Sequence, residues 1–142
     1  MSIQYTADQL QRKFRGSPGS PGFSRIADSL RIDGRIDEAI QMCQDGLRTR
    51  PKDLSGFLVL GKCLLDASRT DEAREQFEAA LRLDPRCLSA MHQLAKIMTK
   101  LDWGDAAAGY YRSILEVEPW DAEIRALLSG AAPRTTPSWG PV

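Results

Sequence analysis

Prolines at positions 51, 85 and 119 divide this chain at one constant step of 34 residues. Three equal steps imply one structural unit copied three times. A unit of that length cannot bury its apolar face alone, so it stacks on its neighbours and the stack leaves a groove. Binding along a surface is therefore expected, rather than chemistry in a pocket.

Taking the units as 20–53, 54–87 and 88–121 puts proline at position 32 of each. Three further positions, none used to set the register, then agree. Position 18 is Asp37, Asp71 and Asp105; position 20 is Ala39, Ala73 and Ala107; position 28 is Leu47, Leu81 and Leu115. Each unit reads as two helices. In the second unit Phe57, Leu60, Leu64 and Leu65 recur at helical spacing. Phe23, Ile26 and Leu30 do so in the first, and Met91, Leu94 and Met98 in the third. Position 8 is always small (Ala27, Gly61, Ala95), and with the alanine at position 20 it allows the helices of a pair to approach closely. Gly34, Ser68 and Asp102 fall where the first helix should end. Asp37, Asp71 and Asp105 are read as caps of the second helix. Asp53 and Asp121 are read as caps of the helix that follows each proline, a place taken by the poor cap Cys87 between units two and three.

The pattern resembles the tetratricopeptide repeat family. That family has a large residue at position 4, Gly or Ala at 8, Ala at 20, an aromatic or large residue at 24, Ala at 27 and Pro at 32. Here position 24 is Cys43, Phe77 and Tyr111, and position 27 is Gly46, Ala80 and Ile114. The resemblance covers residues 20–121 and implies an all-α fold: a right-handed α-α superhelix of three helix-turn-helix units. Position 27 faces the following unit in the family, so Ile114 implies that no full fourth repeat follows. A short capping helix is expected over 122–130, with Ile124, Leu127 and Leu128 on one side, and then a flexible tail over 131–142. At the other end, Ile3, Ala7, Leu10 and Phe14 make an apolar stripe on an expected amphipathic helix over 1–15. A Gly/Ser/Pro linker over 16–22 follows, with Ser20 read as a cap and Pro21 as an early residue of the next helix.

The totals narrow the function. Nineteen basic and nineteen acidic residues leave no net charge, and no run of like charge suggests a nucleic-acid footprint. No apolar stretch approaches the ~20 residues of a membrane span, and Met1 to Asp8 lacks the pattern of a secretory leader. A cytoplasmic location is expected. The three cysteines, Cys43, Cys63 and Cys87, match no zinc or redox spacing and read as packing residues. His92 is the only histidine, and no metal site, cofactor site or catalytic constellation can be assembled around it. The chain is read as non-enzymatic, with no metal and no cofactor.

In the family, the first helix of each unit lines the concave face. Transferred to this sequence, the resemblance implies a partner-binding groove formed by Asp28, Arg31, Leu58, Lys62, Leu65, His92, Lys96 and Lys100. Arg31 and the lysines outnumber Asp28 and Asp66 there, so an acidic protein or peptide is the partner class implied. Co-chaperone members hold a chaperone's C-terminal carboxylate with lysine, asparagine and arginine. The matching positions here are Ser24, Asp28, Val59, Ser89 and Gln93, which do not carry that activity over. The leading expectation is an adaptor that holds an extended or helical segment of another protein. Two alternatives stay open. One is a self-assembling scaffold, a homo-oligomer in which Ile3, Leu10 and Phe14, or Trp139, fill a neighbour's groove. The other is a small three-repeat secretion-type chaperone, similar in length and repeat number.

Overall fold

The structure, a computed structural model, describes residues 22–131. The stripe of Ile3, Leu10 and Phe14, the linker with Ser20 and Pro21, and Trp139 lie outside the described residues. Helices account for every regular element among those described: α1 (Phe23–Ile32), α2 (Ile36–Thr49), α3 (Leu54–Asp66), α4 (Thr70–Leu83), α5 (Leu88–Lys100), α6 (Gly104–Val117) and α7 (Ala122–Ala126). A π-helical turn, Leu127–Ala131, continues α7. The chain divides into two compact units, Met1–Leu83 and Asp84–Val142. The first holds α1 to α4 and the second α5 to α7.

The odd-numbered helices α1, α3 and α5 all stop in the same way. Gly34, Ser68 and Asp102 take φ of 83°, 62° and 61°. This left-handed residue turns the chain so that two amides reach back to the last helical carbonyls. In α1 the Gly34 amide donates to the Arg31 carbonyl at 3.0 Å and the Arg35 amide to that of Leu30 at 2.8 Å. Ser68 and Arg69 repeat the pair on Leu65 and Leu64, and Asp102 and Trp103 on Thr99 and Met98. Orphan carbonyls are thereby satisfied in all three turns. Nothing lies within 4 Å of where a Cβ would sit on Gly34, so the backbone angle alone accounts for glycine there.

The even-numbered helices of the three pairs end two residues before Pro51, Pro85 and Pro119. Proline lacks an N–H and disfavours helical backbone in the residue before it. Arg50 and Glu118 accordingly sit at ψ of 75° and 77°. A tight turn follows, in which Asp53, Cys87 and Asp121 donate their amides to the carbonyls of Arg50, Asp84 and Glu118. The Asp53 carboxylate then accepts from the Gly56 amide at 2.9 Å, and that of Asp121 from the Ile124 amide at 3.0 Å. Both are working N-caps; Cys87 makes no such bond.

Three cap readings need correction. Asp37 and Asp105 do not cap α2 and α6: the N-caps are Arg35 and Trp103, whose side chains make no capping bond, and the aspartates lie inside the first turn. Asp71 likewise lies in the first turn of α4. Their negative charge acts there on the positive end of the helix dipole. At α1 the N-cap is Gly22, which has no side chain to cap with.

In the first unit α1 packs on α2 and on α3, α2 on α3, and α3 on α4. Ala27, Ala39 and Ala73 are wholly buried. A Cβ on Gly61 would stand 2.5 Å from Cζ of Phe77, so the small residue at position 8 is shaped by the aromatic ring at position 24. The ring of Phe23 similarly occupies the space that Cβ atoms on Gly46 of α2 and Gly56 of α3 would need. One phenylalanine thus sits against the backbones of two helices.

In the second unit α5 packs on α6, and α7 with its π-turn packs on α6. Ile114 and Ile124 are buried, and Leu127 and Leu128 are half-buried.

Candidate protein-binding faces

On α3, Leu58, Lys62 and Leu65 follow steps of four and three residues, which places them in one stripe. All three are half-buried. Two leucines left partly in water beside a lysine are not what a core needs.

α1 lies alongside α3 and contributes Asp28 and Arg31. The Arg31 guanidinium donates from Nε to Asp28 Oδ1 at 2.9 Å and from Nη1 to Asp66 Oδ2 of α3 at 3.1 Å. Partial burial works against the Arg31 charge, but its bonds to the two carboxylates outweigh that and raise its pKa. Arg31 is therefore already committed, and it joins α1 to α3 instead of facing solvent as a spare cation. With Asp28 and Asp66 counted against Arg31 and Lys62, this face carries no net charge. Lys62 has no carboxylate partner among the described residues. Ile32, the last residue of α1, is 70% exposed.

On α5, His92, Lys96 and Lys100 repeat at i, i+4 and i+8. His92 is half-buried and both lysines are exposed. No carboxylate pairs with either lysine among the described residues, so the basic surplus seen in the sequence belongs to α5. Thr99 is fixed by donating to the Ala95 carbonyl at 2.8 Å, and its hydroxyl lies 3.1 Å from that of Tyr111 on α6. Sequence reading did not find the Tyr111 hydroxyl contact, because twelve residues separate the partners. It also did not find that Asp66 binds Arg31 across helices. The structure puts Asp28, Arg31, Leu58, Lys62 and Leu65 in the first unit, and His92, Lys96 and Lys100 in the second.

Among the described residues no three histidine, cysteine or acidic side chains gather at one point. The second unit has an open cleft of about 320 Å³ lined by Pro85, Arg86, Met91, Ser113, Glu116 and Val117. Ser113 there donates to the Gly109 carbonyl at 3.1 Å. No helix among the described residues is long and apolar enough to cross a membrane.

Helix pairs closed by left-handed turns, separated by prolines at a 34-residue step and joined through small residues, define a helical-repeat interaction fold. The tetratricopeptide repeat family matches residues 30–100, half of the chain, and the chain belongs to that family. Solved structures agree on the fold. The crystal structure of MamA superposes with a TM-score of 0.76 at 12% identity, covering 86% of this chain and 72% of that one. A tetratricopeptide repeat protein from Parabacteroides merdae gives 0.75 at 18% identity, covering 87% of this chain and 51% of its own. The first repeat domain of Spaghetti (RPAP3), bound to the HSP90 peptide SRMEEVD, gives 0.68 at 18% identity, covering 76% and 86%. No curated protein matches the chain in sequence.

Proposed function

We propose that this protein is a binding adaptor that takes extended or helical segments of other proteins on two exposed faces, that of α1 and α3 in the first unit and that of α5 in the second. One observation carries the reading: Leu58 and Leu65 lie partly exposed in one stripe with Lys62, which makes no ion pair with a described carboxylate. Apolar anchors beside an uncommitted charge suit a segment with aliphatic side chains and acidic groups. Lys96 and Lys100 on α5 favour the same partner chemistry, since like charges at i,i+4 cost helix stability and gain from an acidic ligand.

The RPAP3 domain shows that a relative in fold holds a peptide. That partner class does not carry over to this chain. Ser24 is buried and Asp28 is an anion bound to Arg31, so these positions present no cation to a terminal carboxylate. The adaptor is read as non-catalytic, without a cofactor, and cytoplasmic.

The test is the double substitution Leu58→Glu with Lys96→Glu. Partner proteins captured by the wild-type chain, identified by mass spectrometry, should be lost from the variant while its helical circular dichroism is unchanged. Capture that survives in a folded variant would overturn the assignment.

A further inference from the structure

The stripe of Leu58, Lys62 and Leu65 on α3 does not end at that helix. Arg31 of α1 donates to Asp66 of α3 at 3.1 Å, which ties the C-terminal ends of the two helices together. Ile32, 70% exposed, therefore stands at the Leu65 end of the stripe. Charge is arranged along the same face. Asp28 and Asp66 share the Arg31 guanidinium, so two carboxylates against one cation leave that end negative. Their side chains remain 37% and 43% exposed. Four residues earlier on α3, Lys62 makes no ion pair with a described carboxylate. The face thus suits aliphatic groups at helical spacing, an acid for Lys62 and a base for the end held by Asp28 and Asp66. The chain carries such a segment itself. Residues 1–15 lie outside the described residues, but their sequence sets Ile3, Ala7, Leu10 and Phe14 in one stripe. It adds Asp8, and then Arg12, Lys13 and Arg15. Asp8 and Arg12 have the four-residue spacing of Lys62 and Asp66 with the signs reversed.

We propose that the segment of residues 1–15 docks on the α1 and α3 face of its own chain, as an internal occupant that a partner displaces. This contact rests on the reading of that face as a binding surface, and adds what covers it when no partner is present. The chain is long enough. Residues 16–22 span at most about 23 Å when extended, and the ten residues of α1 make about 15 Å. Residue 15 can therefore stand near either end of α1. A tether of this length holds the segment at an effective concentration on the order of millimolar, so in dilute solution its own chain is favoured over a second copy. The α5 face does not suit the segment, because His92, Lys96 and Lys100 offer no acid to Arg12, Lys13 and Arg15. Docking covers Ile32, Leu58 and Leu65, and an aliphatic, acidic partner segment competes for the same groups.

The full chain carrying Phe14→p-benzoylphenylalanine is irradiated at low micromolar concentration, separated by denaturing electrophoresis and digested for mass spectrometry. The expected product is a crosslink within one chain, from position 14 to a peptide of α1 or α3 that holds Ile32, Leu58 or Leu65. Adding Ile3→Asp and Leu10→Asp should remove most of it. Both positions precede the repeats, and the first crosslink map needs neither substitution. Crosslinks confined to a dimer band assign the segment to a second copy and overturn the proposal. So do crosslinks to any other helix, no crosslink at all, or one that the two aspartates leave unchanged. The adaptor reading fails separately. If the crosslink forms as expected but partner capture survives Leu58→Glu, that reading falls and the docked segment stands. If the crosslink is absent while capture still depends on Leu58, only the docked segment falls.

Discussion

Ser68 and Asp102 hold left-handed backbone that costs a residue with a Cβ roughly 1–2 kcal/mol, less for aspartate, whereas Gly34 meets the same demand without that penalty. Ser68→Gly should therefore stabilise the protein by about 0.5–1 kcal/mol after allowing for the greater unfolded freedom of glycine. Gly34→Ala should destabilise by about 1 kcal/mol on the same grounds. Urea midpoints at unchanged slope measure both. Gly61→Ala improves helix propensity, but its Cβ meets Phe77 at 2.5 Å. The collision should win, at about 1–3 kcal/mol of lost stability, and Phe77→Leu in the same chain should return part of it. Arg69 and Glu72 form an exposed pair in which the hydrogen bond from Arg69 holds the Glu72 carboxyl below its ordinary 4.5. A carboxyl whose folded pKa is depressed adds stability above its unfolded pKa and loses it as pH falls through the folded one. NMR titration of the Glu72 carboxyl should show the depressed value, and Arg69→Ala should restore it.

At the level of the helix, each pair is built by opposing signals at its two ends. A left-handed residue closes the first helix, proline stops the second, and aspartate starts the next where one is present. Asp53→Ala removes the bond to the Gly56 amide and should cost about 1 kcal/mol in thermal or urea unfolding. Helix existence was legible in the sequence because the apolar residues recur at helical spacing and the punctuation repeats at 34 residues. The roles of Asp37, Asp71 and Asp105 were less legible. A cap and a residue in the first helical turn lie one or two positions apart, and either place favours aspartate. Only the start of the helix separates them, and the bonds of Arg35, Arg69 and Trp103 to the previous helix set that start.

For the molecule as a whole, zero net charge conceals an uneven distribution: Arg31 is neutralised in the first unit, while Lys96 and Lys100 are exposed in the second. If these lysines and Lys62 attract an acidic partner, capture should weaken several-fold as salt rises from about 0.1 to 1 M, where the Debye length shrinks from about 10 to about 3 Å. The contribution of Leu58 and Leu65 should persist. Capture indifferent to salt would count against an acidic partner. The sequence alone determined the repeat, the helix pairs and the small residues at their contacts. Those features are local or periodic, and each leaves its mark within one 34-residue unit. Only the tertiary structure decided that Asp66 takes up the charge of Arg31 and that Phe23 lies against Gly46 and Gly56. These partners belong to different helices, and their meeting depends on helix packing distances that no spacing along the chain encodes.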